Sequence, residues 1–324
     1  MRIGVIYSFS PQQGIVSGLK SLGCHVELFY YGLEKHSFVE KKLTRIFNLS
    51  SHLLKLNFNR QLEKLLVRNE KRRYDLILIV KGNQISKGNS KKLKLASGVK
   101  KVLWTTDSVV RYPAQLSVQE YMDKIFLQDG KDCDSIDGGS WLPLGFDPNL
   151  FEGSSKDIDL LLFGNCSLPF YKTRVDYILE ASHIAKSGNQ VTFVGSGLDK
   201  ATISQLENNG VKVLQKAKYS DFCDLVARSK ICLNIHQDDG NMAINPLFFA
   251  IPYAKSIQIT DQREYYEKWL TPNKDYFPIQ LKDLNRILKY LIKEYDQIVL
   301  SKEDREKIQT NHSYSGRARR IIES

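Results

Sequence analysis

The chain of 324 residues lacks several things that would place it quickly. No stretch approaches the roughly 18 apolar residues that a membrane span requires; runs such as Leu76–Val80 and 160–163 are strand-sized. Its five cysteines (Cys24, Cys133, Cys166, Cys223, Cys232) make no Cys-x-x-Cys pair and mostly sit inside apolar segments, a pattern of reduced, buried thiols rather than of a disulfide framework or a structural zinc. There is no Gly-x-Ser-x-Gly elbow, no Gly-x4-Gly-Lys-Ser/Thr loop and no His-Glu-x-x-His pair, and the six histidines show no metal-ligand spacing. Hydrolase, P-loop NTPase and zinc-enzyme readings lose their usual support. Met1-Arg2 leads straight into the strand-like IGVIY (3–7), too short for the core of an export signal, so the sequence reads as cytoplasmic.

Acidic residues are scarce in one region only. Between Glu34 and Lys101 stand 18 Lys and Arg against 5 Asp and Glu, an excess of thirteen positive charges in a chain whose net charge is +11. The net excess therefore sits in this one segment of the first half. It fits either an anionic partner (phospholipid, lipid-linked phosphate, teichoic acid, nucleic acid) or a well-solvated helical face.

Length predicts about two domains at roughly 150 residues each, and 42% hydrophobic with 26% charged residues is a globular composition. Short β-type runs alternate with helical patterns nearly throughout, which predicts an α/β fold with parallel sheets. Strands are expected at 2–7, 26–30, 75–80, 100–105 and 124–127, then at 159–163, 190–194, 211–214, 231–235 and 256–260. Helices are expected at 13–22, 171–187, 201–208, 219–229 and 281–295. Residues 38–73 carry apolar positions at helical spacing among Lys and Arg, predicting one or two basic amphipathic helices; Phe47 and Phe58 lie within them. The Pro-, Gly- and Ser-bearing stretch 141–155 reads as a linker. Two Rossmann-like domains, 1–150 and 151–300, would then face each other across a cleft between their strand-end loops, where ligands of open α/β sheets bind.

Candidate residues follow from that edge. Phe163-Gly164-Asn165 leaves a strand and Lys172 and Arg174 open the next helix: glycine lets amides approach a phosphate, the helix start favours anions, and Arg pairs phosphate oxygens, a diphosphate cradle. Val194-Gly195-Ser196-Gly197 also leaves a strand, as a second cradle or an ordinary tight turn. His236 stands just past a strand, where it either reaches the cleft or serves the core. Asp107, ending a strand in Trp104-Thr105-Thr106-Asp107, reads as a general base or as the cap of a turn.

Taken together, YDLILIVKG (74–82), VLWTTD (102–107), LPLGFDP (142–148) and KDIDLLLFGN (156–165) fall in the order seen in CgeB-like (spore-maturation type) glycosyltransferases. YSDF (219–222), ICLNI (231–235), SIQITD (256–261) and NHSYSGR (311–317) resemble that family's later landmarks. The resemblance implies a GT-B fold with an N-terminal acceptor domain, a C-terminal nucleotide-sugar domain and a terminal segment, 301–324, crossing back to the first. It implies sugar transfer from a nucleotide-diphosphate sugar as co-substrate, with no metal and no other cofactor. Arg174, Lys172 and loop amides would steady the departing diphosphate, and Asp107 would take the acceptor proton. Asn241, Asn245, Thr260 and Asp261 fall on the family's donor-site stretch. There the chain departs from the pattern Asn-x-Arg-x-Phe-Glu. Counting from Asp261 puts Asn245 on the Asn, Leu247 on the Arg and Ala250 on the Glu; anchoring on Gly240-Asn241 puts Ala243 and Pro246 there instead. Either register loses both charged side chains, while Lys255 stands near a family glycine. Three readings follow: a transferase acting on a surface polysaccharide or lipid-linked precursor, held peripherally at an anionic membrane by 38–73; a phage-type enzyme glycosylating DNA; or a GT-B protein that binds without turnover.

Overall fold

Aliphatic and β-branched runs bounded by turn residues become parallel strands, and the alternation of their side chains decides what each helix covers. The computed structural model describes residues 1–7, 13–32, 50–82, 87–110, 113–152, 155–167, 171–215, 217–237 and 241–324. They divide into two units: Met1–Gly145 with Met242–Ile244 and Tyr314–Ser324, and Phe146–Asn241 with Asn245–Ser313.

The first unit holds β1 (Arg2–Tyr7), β2 (His25–Tyr30), β3 (Leu76–Val80), β4 (Lys100–Trp104), β5 (Lys124–Leu127) and β6 (Gly139–Trp141) in the order β2-β1-β3-β4-β5-β6, every pair parallel. Helices α1 (Gln13–Ser21) and α2 (Ser50–Arg72) accompany it. The central strand β3 is buried on both faces. Its Ile77 and Ile79 pack with Phe58, Leu62 and Leu65 of α2. Leu76, Leu78 and Val80 face the other way, onto Ile15 and Leu19 of α1 and Ala318 and Ile321 of the chain's last helix.

The second unit repeats the plan with β7 (Ile158–Asn165), β8 (Val191–Ser196), β9 (Lys212–Leu214), β10 (Ser229–Asn234), β11 (Ile257–Thr260) and β12 (Phe277–Pro278), all parallel in the order β12-β11-β10-β7-β8-β9. Its helices are α3 (Lys172–Ser182), α4 (Lys200–Asn208), α5 (Tyr219–Arg228), α6 (Leu247–Tyr253), α7 (Leu284–Lys293) and α8 (Lys302–His312); α9 (Tyr314–Glu323) closes the chain. Tyr177 and Ile178 of α3, Leu206 of α4 and Leu288 of α7 cover one face of the sheet with Leu160, Leu162, Phe193 and Leu233. Because the chain builds outward from β7 to β9 and then restarts at β10 on the other side, the order reverses between β7 and β10. Their carboxyl ends flank the crevice where an open parallel sheet binds ligands.

Several expectations change. The first unit ends at Gly145 rather than 150, and the supposed linker is packed: Leu142, Phe146 and Phe151 are buried, because its apolar residues outweigh its turn formers. Segment 301–324 is two helices. Of these α8 belongs to the second unit, packing on α6 with His312 stacked 4.4 Å from Phe249, and only α9 belongs to the first, against α1. The helical stretch 171–187 is α3 followed by a tighter turn, His183–Ser187. Of the basic segment, 50–72 forms one helix; positions 38–49, with Phe47, lie outside the described residues, as does Gly240. No described helix is long and apolar enough to cross a membrane.

Candidate functional site

The carboxyl ends of β7, β10 and β11 bring most of the candidate residues together. At the end of β7, Gly164 has φ 129°, a backbone region that suits glycine, and a Cβ there would come within 2.9 Å of the Arg174 guanidinium. Its neighbour in the sheet, Gly195, would meet the Gly164 carbonyl at 2.1 Å if it carried a Cβ, so the paired glycines allow β7 and β8 to run close to their tips. Beyond them, the Cys166 amide donates to the Ser196 carbonyl at 2.7 Å, and Asn165 Oδ1 accepts from Ser167 N and Ser167 Oγ at 3.0 and 2.7 Å. The Asn165 and Ser196 side chains are exposed on this braced loop pair, and Lys172 is exposed at the first turn of α3.

Arg174 spans the crevice itself. Nε and Nη2 donate to the Ile235 carbonyl past β10 at 2.9 and 2.6 Å, Nη1 donates to the Asn165 carbonyl past β7 at 2.5 Å, and the guanidinium lies 4.5 Å from the Tyr171 ring centre. A helix-borne cation is thus fixed between the two strand tips at which the sheet order reverses.

A second cluster closes the β10–β11 side. Asp261, just past β11, accepts from the His236 amide at 3.1 Å through Oδ1 and is bonded by Arg263 Nε through Oδ2. Arg263 Nη2 donates to the Gln237 carbonyl at 2.7 Å. His236 Nδ1 lies 2.5 Å from the Tyr266 hydroxyl, itself 3.4 Å from Asp261 Oδ1. Burial alone would raise the Asp261 carboxyl, but His236 and the Arg263 charge outweigh it and hold the group well below the usual carboxylate range. Burial lowers the His236 imidazole, against the pull of Asp261. Aspartate is therefore the anion of the cluster and histidine its neutral member. With Tyr266 on Nδ1, the buried His236 Nε2 has no hydrogen-bond partner among the described residues, and neither has the buried hydroxyl of Thr260, the residue before Asp261.

Other candidates are placed differently. Asn245 is occupied in the framework, its Oδ1 accepting from Phe248 N at 3.1 Å at the start of α6 and its Nδ2 donating to Asn234 at 2.9 Å. Asn241 presents its carbonyl to the Tyr265 hydroxyl at 3.4 Å. Asp107 is in the first unit, where its carboxylate is 3.0 Å from Lys81 Nζ. Arg263, Tyr265 and Tyr266 escaped the sequence reading; an arginine two positions after Thr260-Asp261 was the available signal. Among the described residues no group of three or more His, Cys, Asp or Glu is arranged to hold a metal.

Comparison with known proteins adds to this geometry. Residues 175–323 match the family model described as glycosyl transferase-like. No curated protein sequence matches the chain. Among solved structures, sucrose-phosphate synthase from Thermosynechococcus elongatus is 12% identical with a TM-score of 0.64, covering 100% of this chain and 98% of its own. Anabaena HepE in complex with UDP is 12% identical with a TM-score of 0.63, over 100% and 99%. A UDP-N-acetylglucosamine 2-epimerase is 12% identical with a TM-score of 0.55, over 99% and 94%. At such identities the likeness establishes the fold, two Rossmann-like α/β units of the GT-B type, and leaves function to the site.

Proposed function

We propose that the chain is a glycosyltransferase that takes its sugar from a nucleotide-diphosphate sugar bound at the carboxyl edge of the second unit's sheet. One observation carries the reading: the reversal point between β7 and β10 is bridged by Arg174, and two buried polar atoms without partners among the described residues, His236 Nε2 and Thr260 Oγ1, lie at the ends of β10 and β11, within or beside the stretch that matches the glycosyl transferase-like model. A ligand with phosphate oxygens and a polar base or sugar would satisfy them. Arg174 and Lys172 at the start of α3, beside the glycine at the tip of β7, are the groups assigned to the diphosphate, whose negative charge grows as the glycosidic bond breaks. HepE, of the same fold, is known with UDP and with UDP-glucose, and a uridine nucleotide is the first to try.

The finer reading is the CgeB-like branch, supported by the landmark segments whose tips supply Gly164, His236 and Asp261. Leu247 and Ala250, or Ala243 and Pro246, stand where that branch carries Arg and Glu. Arg263 brings a guanidinium to the same strand-end cluster, so we assign it the missing positive charge. Asp107, held by Lys81, is the base assigned to the acceptor hydroxyl. The acceptor is anionic, a surface polysaccharide or its lipid-linked precursor, met at a membrane surface by the exposed basic face of α2, with no cofactor beyond the nucleotide sugar. Loss of the Glu and Arg supports the competing reading, binding without turnover.

The test is thermal unfolding with UDP, GDP, CDP, dTDP and their sugars, followed by donor hydrolysis. A ligand at 100 times its dissociation constant stabilises the native state by about 2.7 kcal/mol. A shift with one base, abolished in Arg174→Ala, and slow hydrolysis of its sugar conjugate are expected. Binding without any turnover would favour the non-catalytic reading, and no binding of any nucleotide would overturn the transferase and leave a protein that binds a partner or a saccharide.

A further inference from the structure

We propose that a cavity at the amino edge of the second unit's sheet, remote from the strand tips described above, binds a small oxyanion, a phosphate or a compound carrying one, between Lys156, Lys255 and Arg305. The cavity measures about 260 Å³, below the roughly 300 Å³ at which pockets for larger ligands begin, which suits a phosphate group rather than a nucleotide. Lys156 precedes β7, Lys255 stands before β11 and Arg305 is on α8, so the cavity lies where strands begin, whereas Arg174 and Asp261 stand at or beyond strand ends.

The charges around this cavity do not balance. Lys156 Nζ gives three hydrogen bonds, each 2.9 Å, to the Ser229 carbonyl, the Ala254 carbonyl and the Ser256 hydroxyl, all neutral oxygens. Its ammonium is oriented but not neutralised, and burial, with Lys255 and Arg305 adding to it, pulls the amine down to about 8. Arg305 donates through Nη1 to the Tyr253 carbonyl at 3.5 Å, while its Nε is buried with no partner among the described residues. Of the three cations Lys156 and Arg305 are half-buried and Lys255 is exposed, and against them the lining offers one carboxylate, Glu152, also exposed. Buried charge normally has a counter-charge or an outlet to water. An anion seated among the three would supply one and would give Arg305 Nε its acceptor.

Lys255 adds an independent observation. It has φ 57°, a left-handed backbone that glycine adopts freely and lysine does not, and its carbonyl is pinned by the Tyr295 hydroxyl at 2.5 Å. A side chain is kept at a position where the backbone asks for none, and that side chain lines the cavity with a positive charge.

The experiment uses the full chain, with inorganic phosphate titrated against chloride at matched ionic strength and unfolding temperature as readout. Wild type is expected to show a saturable rise. Lys255→Gly is expected to unfold at a higher temperature than wild type without phosphate, because the strain is gone, yet to bind phosphate at least tenfold more weakly; Arg305→Gln is expected to weaken phosphate binding similarly. Opposite signs in the one glycine variant separate lost binding from damaged folding. Glycerol 3-phosphate forms a second arm: binding lost in the same variants identifies phosphate monoesters as occupants, and binding of inorganic phosphate alone identifies the free ion. The absence of a saturable shift in wild type overturns the proposal. So does a shift that survives both variants, or one lost only in Arg174→Ala, which would put the ion at the carboxyl edge.

Discussion

Asp261 shows at the residue scale how a polar cluster can be both framework and site. Its carboxylate is almost fully buried, bonded by Arg263 and the His236 amide, and faces Tyr266. Removing one partner of a buried ion pair strands the other, so Asp261→Asn should cost about 3 kcal/mol in urea unfolding at neutral pH. The pH dependence has a definite sign. Because the folded carboxyl lies below its unfolded value, its stabilisation is complete above roughly pH 4 and disappears as pH falls through the folded value, so the gap between wild type and variant stays level down to about pH 4 and closes below it. His236 acts at a higher pH. Burial lowers the folded imidazole below its unfolded value near 6.5, so the folded state resists protonation and wild type should lose stability as pH falls below about 6.5. His236→Gln should lack that portion of the decline. A titration in which both proteins respond alike between pH 7 and 5 would mean that the imidazole titrates in the fold as it does in the unfolded chain.

Glycines set the spacing between elements. On α1, a Cβ at Gly14 would lie 2.1 Å from the Tyr314 ring and one at Gly18 would lie 2.4 Å from the Tyr314 carbonyl oxygen, so α9 rests on α1 at a distance only hydrogen permits. Overpacking of this kind costs about 1–3 kcal/mol, and the two positions should differ in how it is relieved. Tyr314→Ala should recover much of the loss in Gly14→Ala, where the obstacle is a side chain, and little in Gly18→Ala, where it is backbone; a double-mutant cycle by chemical denaturation reads the coupling directly. The same scale shows what the sequence made legible. Strands β3 and β7 were plain because four or more apolar residues in a row, bounded by charge or glycine, admit little else in a parallel sheet. By contrast β6 (Gly139–Trp141) and β12 (Phe277–Pro278) are short edge strands whose pairing partners make them strands, and α6 carries Pro252 in its interior, so local propensity argued against it. Site residues divided along the same line. Gly164 was readable from its place at a strand end, Arg174 from the helix start that follows and Asp261 from the family resemblance, whereas Arg263 and Tyr266 gain their meaning from the buried Asp261–His236 pair, a contact between two loops.

Over the whole molecule the charge is unevenly spread, with a net excess of thirteen positive charges between Glu34 and Lys101 and the rest of the chain close to neutral. Helix α2 shows how the first unit carries its share. Phe58, Leu62, Leu65 and Leu66 are buried, while Lys55, Arg60, Lys64, Arg68, Lys71 and Arg72 are exposed against the exposed carboxylates of Glu63 and Glu70. Two of the helix's charges are engaged locally, Arg68 with Glu27 at 3.5 Å and Glu63 with Lys92 at 2.5 Å, and exposed pairs of this kind contribute little to stability. A net positive field is therefore available to an external anion. Each Lys or Arg near an anionic bilayer is worth about 1 kcal/mol, and the attraction fades over a Debye length of roughly 8–10 Å at physiological salt. The protein should therefore sediment with phosphatidylserine vesicles at low salt and release from them as salt rises. Replacing Arg60 and Lys64 together with Gln, which leaves the buried face of α2 intact, should weaken the partition by about tenfold or more while leaving nucleotide binding at the second unit unchanged. Duplex DNA in place of vesicles distinguishes the alternative acceptor, since each neutralised phosphate adds about 0.9 to the slope of log affinity against log salt. Steep salt-dependent binding to DNA with no retention by vesicles would move the acceptor from the membrane to nucleic acid; indifference to both would leave α2 a solvated face and the anionic acceptor without support.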